Sequence, residues 1–315
     1  MRTAIVTGAQ GFLGQYIAAE LLAHGWNVVG LDRTVPSQEQ GSLHRLPESH
    51  IIDLRSGPLE SLLSEKAPSL LVHAAGNPSV ADSVADPSVD FESSVLVLFR
   101  VLDAVRRCAP ACRVVLLSSA AIYGSPAQLP VREETPPHPI SPYAFHKLLC
   151  EKLIEEFHTL YNIPACSIRI FSAYGPGLRR RVLWDICQKA LRLQSFELSG
   201  TGDETRDFVH ARDVAQAVRV VSERAAFEAE VYNVASGQET RIADLALAVV
   251  GALATKSDFA FSGIQRLGDP LRWCADISRI SRLGYHPQTP LEQGIREYVE
   301  WVSALEERGR QDTQT

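Results

Sequence analysis

Short apolar runs alternate with helix-like segments from the N-terminus onward, and this alternation limits the possible folds more than any other feature of the chain. In order, the runs and segments are Thr3 to Thr7, Leu13 to His24, Trp26 to Leu31, Leu70 to Ala74, a long helix around Phe91 to Leu102, and Arg113 to Leu117. Strands that alternate with helices predict a parallel sheet covered by helices on both faces. We therefore expect an α/β fold with a doubly wound parallel sheet.

The pattern becomes looser after about Gly175, where Gly and Pro separate shorter elements and a last amphipathic helix covers about Leu291 to Leu305. We expect residues 1–174 to form the main domain. Residues 175–305 are expected to form mainly a smaller C-terminal α/β lobe that binds substrate, with some chain returning to the main domain. The polar residues 306–315 are expected to be a frayed tail.

Charge and composition argue against several classes of partner. The net charge of −6 gives no reason to expect nucleic acid. The six cysteines lack the spacing of zinc or redox motifs, which predicts reduced thiols and no metal site. The N-terminus enters an apolar run directly, and no run reaches the length of a membrane span, so we expect a cytoplasmic protein without membrane contact.

A glycine-rich loop, Thr7-Gly8-Ala9-Gln10-Gly11-Phe12-Leu13-Gly14, follows the first predicted strand and opens the first predicted helix. In that context a dinucleotide pyrophosphate rests against backbone amides at the helix N-terminus. The sequence therefore predicts a Rossmann-type dinucleotide-binding domain, with a plain tight turn as the lesser alternative. The expected cofactor contacts in the loop are Gly8, Gln10, Gly11, Phe12, Leu13 and Gly14.

An acidic residue, Asp32, ends the second predicted strand and indicates which dinucleotide binds. A carboxylate there accepts hydrogen bonds from the adenosine ribose and repels a 2'-phosphate, which favours NAD. The neighbouring Arg33 can accommodate such a phosphate, so NADP stays an alternative. Asp53 and the adjacent Leu54 are expected near the adenine, although Asp53 is equally suited to cap a helix.

Tyr143 and Lys147 lie four residues apart on a predicted helix and so share one face. A nearby ammonium stabilises a phenolate relative to a phenol, so the pair can act as a base. In many helices the same spacing means only a packed tyrosine and a solvated lysine. The glycine loop and Asp32 favour the functional interpretation in this chain.

Ordered motifs along nearly the whole chain resemble the extended short-chain dehydrogenases, and specifically the NAD-dependent nucleotide-sugar epimerase and dehydratase group, in a form similar to the UDP-glucose 4-epimerases. The motifs are Gly8-x-x-Gly11-x-x-Gly14, His73-Ala74-Ala75-Gly76, Ser118 to Gly124, Tyr143-x-x-x-Lys147, Arg169 to Pro176, Thr205 to His210, and Tyr232 to Gly237.

This resemblance implies a catalytic set of Ser119, Tyr143 and Lys147. Ser119 is expected to bind the sugar C4 oxygen, Tyr143 to move its proton, and Lys147 to hold the nicotinamide ribose. Further cofactor contacts implied by the family are Ala74, Ala75 and Gly76, together with Tyr143 and Lys147. The implied substrate contacts are Ser119, Ala120, Ser172, Arg206, Arg266, Arg272 and Trp273.

The two residues after Ser119 narrow the reaction. By the resemblance, the 4,6-dehydratases of the family have an Asp-Glu pair at these two positions, and the decarboxylases have a glutamate at the second. This chain has Ala120 and Ala121 there, and neither side chain can move a proton. Epimerisation through transient oxidation at sugar C4 remains, with reduction of a 4-keto-6-deoxy sugar by NAD(P)H as an alternative. A non-catalytic dinucleotide scaffold or sensor is the alternative from another class.

Trp273 stands where galactose-type 4-epimerases limit the room around sugar C2, which favours UDP-glucose and UDP-galactose; a purely structural core tryptophan is equally compatible. Ser172 and Ser94 replace family asparagines, and Pro78 replaces a lysine that contacts NAD. The apolar helices containing Phe91 to Leu102 and Tyr143 to Leu160 predict a homodimer, as in the family.

Overall fold

The computed structural model describes residues 2–34, 46–264 and 270–312, with side chains as far as residue 308. The strands are β1 (Thr3–Thr7), β2 (Asn27–Asp32), β3 (Glu48–Ile51), β4 (Leu70–His73), β5 (Arg113–Ser119), β6 (Ala165–Ile170), β7 (Ser172–Tyr174), β8 (Ser195–Leu198), β9 (Thr205–His210), β10 (Glu228–Val234), β11 (Glu239–Arg241) and β12 (Asp258–Phe261).

The helices are α1 (Phe12–Ala23), α2 (Leu59–Lys66), α3 (Val80–Ala85), α4 (Pro87–Phe91), α5 (Val97–Cys108), α6 (Pro142–Tyr161), α7 (Arg181–Arg192), α8 (Ala211–Arg224), α9 (Ile242–Leu253), α10 (Ser278–Ser281) and α11 (Leu291–Asp312). A π-helical segment, Glu92–Leu96, joins α4 to α5, and a 3-10 turn, Ala120–Tyr123, follows β5. No helix in the described ranges is both long and apolar enough to cross a membrane.

The main sheet has seven strands in the order β10, β6, β5, β4, β1, β2, β3, and all its pairings are parallel. Both faces are covered, which explains why its strands are apolar without alternation. On one face, α1 and α8 bury Ile17, Leu21 and Val218 against the sheet. On the other, α2, α5 and α6 bury Leu63 and Phe157 among their neighbours. The predicted doubly wound sheet is confirmed.

The strand order reverses at the pair β1 and β4, whose successors in the chain lie on opposite sides. Parallel sheets of this kind bind their ligands in the crevice beyond the carboxyl ends of such strands. Thr7 at the end of β1 pairs with His73 at the end of β4. The glycine loop and the loop after His73 therefore meet at this crevice.

Three further helices form the core of a smaller lobe. Helices α7, α9 and α11 bury Ile186, Leu245 and Tyr298 together, alongside a three-stranded sheet, β11-β9-β7, and a two-stranded sheet, β12-β8. Strand β10 lies in the main sheet although it follows β9 in the chain. Helix α11 continues to Asp312, beyond residue 305, where a frayed tail was expected to begin.

A buried ion pair ties α6 to the sheet directly behind the crevice. The Arg169 guanidinium on β6 donates to both carboxylate oxygens of Glu151 on α6, with its shortest contact at 2.7 Å. Ser118 Oγ also donates to Glu151, and Arg169 Nη1 donates to Tyr123 Oη at 2.8 Å. A charge pair at this depth is costly to break because the remaining ion stays buried without its counterion.

We expect Arg169→Met to lower the free energy of unfolding by about 3–5 kcal/mol, because Glu151 is left buried without its counterion. The matched control Arg192→Met breaks an exposed ion pair with Glu306 and should cost at most about 1 kcal/mol. Urea unfolding monitored by circular dichroism measures both values. Equal small losses in the two variants would contradict a stabilising role for the buried pair.

Candidate active site

A cavity occupies the crevice beyond the ends of β1, β4, β5 and β6. It is lined by the start of α1, the loop after β4, the end of β5, the start of α6 and residues of the smaller lobe. Among its lining residues are Gly11, Phe12, Leu13, Gly14, Ala74, Ala75, Gly76, Ser119, Tyr143, Lys147, Ser172, Arg206 and Trp273. Most of the residues expected to contact the nicotinamide half of the cofactor and the sugar thus surround one space.

The glycine loop is shaped by close backbone contacts. Gly8 has a φ of +68°, and a Cβ there would lie 2.8 Å from the Ala75 nitrogen of the β4 loop. A Cβ on Gly14 would lie 2.0 Å from the Gly8 carbonyl oxygen. Gly11 precedes α1 and offers no side-chain cap, so the first amides of the helix are available to an anion. This geometry fits a dinucleotide pyrophosphate.

Asp32 lies beside the same loop at the end of β2. Its Oδ2 accepts a hydrogen bond from the Gln10 amide at 3.0 Å, and its Oδ1 accepts one from the Arg33 amide at 2.7 Å. These bonds hold the carboxylate next to the pyrophosphate-binding loop while Arg33 is exposed. The residues present therefore fit the adenosine end of NAD.

Asp53 follows β3 and has a partner of its own. The Arg55 guanidinium donates to both of its carboxylate oxygens, and this hydrogen bonding lowers the pKa of Asp53 to about 2. The helix-capping alternative is wrong, because the N-cap of α2 is Pro58. Leu54 is buried in the core beneath the loop, and neither residue lines the cavity of the crevice.

Helix α6 delivers the expected catalytic pair. Ser141 caps the helix by accepting from the Ala144 amide at 3.3 Å, and Pro142 occupies its first turn. The Tyr143 amide donates to Ser83 Oγ at 3.0 Å. One turn further on, Lys147 Nζ lies 5.9 Å from the centroid of the Tyr143 ring and donates to the Leu117 carbonyl at 2.9 Å. The backbone of β5 thus fixes the ammonium beside the phenol.

Ser119 ends β5 on the same cavity wall. Its Oγ accepts from the Ala121 amide at 3.1 Å, which orients the hydroxyl at the start of the 3-10 turn. Because that bond uses a lone pair, the hydroxyl proton remains free to donate to a substrate oxygen. Ser119, Tyr143 and Lys147 therefore converge as the motifs predicted.

His73, at the end of β4, lies close enough to Lys147 to be influenced by its charge. Burial, and secondarily the charge of Lys147, lower the pKa of His73 to about 3. The imidazole is therefore neutral at physiological pH, and its Nδ1 lies 3.0 Å from Thr7 Oγ1. Thr7 Oγ1 in turn accepts from the Ala75 amide at 3.3 Å. This chain of contacts links the ends of β1 and β4. Because the His73 imidazole is neutral, it adds no positive charge beside Lys147.

Trp273 and Arg206 form part of the wall on the side of the smaller lobe. The Arg206 guanidinium lies 5.7 Å from the centroid of the Trp273 ring. Trp273 Nε1 donates to the Gly124 carbonyl at 2.9 Å, and the residue is only 8% exposed. Trp273 is thus a packed core residue that also faces the cavity, and the limit that it sets on the room around sugar C2 stays a prediction.

Three expected substrate contacts need correction or fall outside the structure. Arg272 points to solvent and pairs with Glu239. Its neighbours Leu271 and Trp273 form backbone hydrogen bonds with Thr205 of β9, so this segment is extended. Because successive side chains of an extended segment point in opposite directions, Arg272 points away from the side that Trp273 faces. The side chain of Ala120 is fully buried, because the 3-10 turn directs it into the core. Arg266 lies outside the described residues.

Two further groups of residues line the cavity: the second alanine of the pair after Ser119, and arginines of the basic run 179–181, which the sequence suggested as an aid to diphosphate binding. Ala121 lines the cavity in place of Ala120. Arg180 and Arg181 line both this cavity and a second one that extends into the smaller lobe past Leu198 and Gly200. The basic run 179–181 was a visible signal, but its spacing did not indicate which of the three side chains faces the cleft.

Relatives with known names support the family suggested by the motifs. The NAD dependent epimerase/dehydratase family matches residues 4–235. The UDP-glucose 4-epimerase of Mycolicibacterium smegmatis is 33% identical over 311 residues, which cover 96% of this chain and 98% of the relative.

Solved structures give the same result. The UDP-N-acetylglucosamine 4-epimerase of Methanobrevibacter ruminantium superposes with a TM-score of 0.88 at 26% identity, covering 96% of this chain and 98% of the other. The UDP-glucose 4-epimerase of Thermus thermophilus, in complex with NAD, gives a TM-score of 0.86 at 28% identity, covering 96% and 99%. The chain therefore belongs to the NAD-dependent epimerase/dehydratase family of extended short-chain dehydrogenases.

Proposed function

We propose that the chain is an NAD-dependent nucleotide-sugar 4-epimerase that acts on substrates of the UDP-glucose and UDP-galactose type. The convergence of Ser119, Tyr143 and Lys147 at the end of the glycine-loop crevice is the observation that carries this proposal. The names of the relatives, which are 4-epimerases of UDP-sugars, support it as well.

In this proposal Tyr143, as the phenolate, takes the proton of the sugar C4 hydroxyl while Ser119 donates a hydrogen bond to the same oxygen. An alcohol loses hydride only as its proton leaves, so a base within hydrogen-bond reach is required. Lys147 stabilises the phenolate. NAD, when bound, supplies the hydride acceptor and later the hydride donor. After the 4-keto sugar has rotated in the cleft to present its opposite face, Tyr143 returns the proton to the C4 oxygen.

The described residues that line this cavity include no Asp or Glu, which favours epimerisation over elimination. Ala121 lines the cavity directly after Ser119, and a methyl group cannot protonate a leaving hydroxyl. The Trp273 ring limits the space in the cavity near the proposed position of the sugar, which favours a hydroxyl over an N-acetyl group at C2. The nucleotide base is proposed to occupy the second cavity, beside Leu198 and Gly200.

Tyr143→Phe should reduce kcat for interconversion of UDP-glucose and UDP-galactose at least about hundredfold, because the proton carrier is lost. Coupled assays with the purified protein and no added cofactor measure this rate. Tyr161→Phe, on the exposed end of the same helix, is the matched control and should stay within about twofold. Undiminished turnover in Tyr143→Phe would refute Tyr143 as the proton carrier, and a wild-type protein without turnover would indicate a scaffold. Stoichiometric NAD(P)H oxidation with a 4-keto-6-deoxy sugar would indicate the reductase.

We also propose NAD rather than NADP as the cofactor, on account of the Asp32 carboxylate. Asp32→Asn keeps an acceptor for the Gln10 amide but removes the charge that repels a 2'-phosphate. The ratio of NAD affinity to NADP affinity, measured by calorimetry, should fall by about tenfold. Asp103→Asn, on the remote helix α5, should leave the ratio unchanged; an unchanged ratio in Asp32→Asn would refute the assignment.

A homodimer is proposed through the adjacent helices α5 and α6. In the single chain these helices and the π-helical segment expose Leu96, Phe99, Phe145, Leu149 and Leu160, each by at least 43%. Phe145, Leu149 and Leu160 share one stripe of α6 by their spacing. A second copy of the same surface is apolar and so is a suitable partner.

Leu149→Glu should shift the mass in solution from dimer to monomer, because it places a charge in the proposed apolar interface. Sedimentation equilibrium measures the mass. Leu247→Glu changes a leucine on α9 that is 63% exposed, against 43% for Leu149, and should leave the dimer intact. A monomeric wild-type protein at micromolar concentration would contradict the proposal.

A cytoplasmic location is proposed from the cysteines. All six are free thiols, and four of them are buried. Burial raises the pKa of Cys112 to about 12 and that of Cys150 to about 11. Such thiols are protonated and unreactive, which fits a reducing compartment.

A further inference from the structure

A buried carboxylate on α4, that of Asp90, contacts helix α6 at the residue that precedes Lys147. His146 Nδ1 lies 2.5 Å from Asp90 Oδ2, and the two side chains are 12% and 0% exposed. Because an ionised carboxylate can only accept hydrogen bonds, Nδ1 carries the proton of this bond. The two residues are 56 positions apart in the chain, so the bond ties a distant segment to the turn of α6 that bears the proposed catalytic pair.

The surroundings of this bond offer the carboxylate little else. Asp90 Oδ1 is buried and has no hydrogen-bond partner among the described residues. The Phe91 ring meets the His146 ring edge-on, with the centroids 5.4 Å apart, so an apolar group lies against the imidazole. Burying a carboxylate costs free energy, and a pair of apolar side chains of similar volume is often at least as stable. The pair is therefore better explained by what it positions than by the stability that it adds.

The segment that contains Asp90 and the turn that contains His146 both reach the wall of the active-site cavity. A Cβ on Gly76 would lie 3.8 Å from Ser94 Oγ, in the π-helical segment after α4, and 4.0 Å from Lys147 Nζ on α6. Gly76 and Lys147 line the cavity. The two segments joined by the bond thus meet again at the loop after β4, and a change in their spacing would move Lys147 relative to that wall.

Contacts with α3, β5 and α4 hold the first turns of α6. The Tyr143 amide donates to Ser83 Oγ on α3 at 3.0 Å, and Lys147 Nζ donates to the Leu117 carbonyl on β5 at 2.9 Å. The bond of His146 joins the same turns to α4 at 2.5 Å. Apolar side chains in contact stay about 4 Å apart, so only a hydrogen bond brings two helices this close at that point. The bond therefore determines how closely α6 approaches α4.

We propose that His146 and Asp90 are positioning residues of the active site, whose bond sets the approach of α6 to α4 and so holds Tyr143 and Lys147 in their productive places. This inference rests on the proposed 4-epimerase activity and deepens it by naming two residues that do not line the described cavity. Catalytic groups must be held within about 0.5 Å of their productive geometry, and a misplacement of about 1 Å can cost about hundredfold in rate.

The test compares three variants of the full chain with UDP-galactose as the substrate: His146→Leu, Asp90→Asn and the double variant Asp90→Leu with His146→Leu. His146→Leu leaves the buried carboxylate without its donor. It should lower kcat by about tenfold and the melting temperature by about 5 °C, with KM unchanged within about twofold because no residue of the cavity wall is replaced. Asp90→Asn keeps an acceptor for Nδ1 and should retain kcat within about threefold.

The double variant separates positioning from stability. It removes both polar partners together, so the melting temperature should return to within about 2 °C of the wild-type value, while kcat should stay about tenfold low because an apolar contact is wider than the bond. His158→Leu is the matched control. It removes another histidine of α6, whose Nδ1 lies 3.1 Å from the Ile163 carbonyl oxygen, and it should leave kcat unchanged.

Two results would overturn the proposal: a wild-type kcat in His146→Leu, or recovery of kcat together with the melting temperature in the double variant. If His146→Leu does not fold, the double variant alone decides. If the wild-type protein does not turn over UDP-galactose, the proposed function fails, and crystal structures of the wild type and the double variant test the positioning by themselves. A shift of Lys147 Nζ by at least about 0.5 Å relative to the Leu117 carbonyl supports it, and an unchanged contact overturns it.

Discussion

The parallel pairing of β1 with β4 is the constraint on which the rest of the active site depends. Thr7 and His73 end these strands side by side, and the Gly8 backbone packs so closely on Ala74 and Ala75 that no Cβ fits between them. Two loops from distant parts of the chain are thereby held at one crevice. The cofactor-binding amides come from the first loop, and the wall beside Lys147 comes from the second.

Helix α6 serves three purposes because its residues are separated by whole turns. Tyr143, Lys147 and Glu151 follow one another at intervals of four, so the proposed base, the ammonium beside it and the partner of Arg169 lie along one face. The outward face carries Phe145 and Leu149. A single element therefore links the chemistry, the buried ion pair beneath it and the surface proposed for self-association.

Charge in the cleft is distributed by backbone geometry as well as by residue type. Arg272 is directed away from the site because the chain beside β9 is extended there, while Trp273 turns inward. Arg180 and Arg181, at the start of α7, line the cavity instead. Positive charge in the cavity is thus supplied by two separate elements, the start of α7 with Arg180 and Arg181 and the strand β9 with Arg206.

The sequence by itself determined the sheet and the cofactor class and singled out the proposed catalytic residues, because each depends on short-range spacing. Alternating runs gave the parallel strands, the glycine intervals gave the dinucleotide loop, and the four-residue interval placed Tyr143 beside Lys147. Contacts between distant segments were decided only by the tertiary structure. The 3-10 turn buried Ala120 and exposed Ala121 to the cavity, and the same kind of long-range packing selected Arg180 over Arg272. The direction of such a side chain depends on neighbours that are far away in the chain, so local spacing carries no information about it.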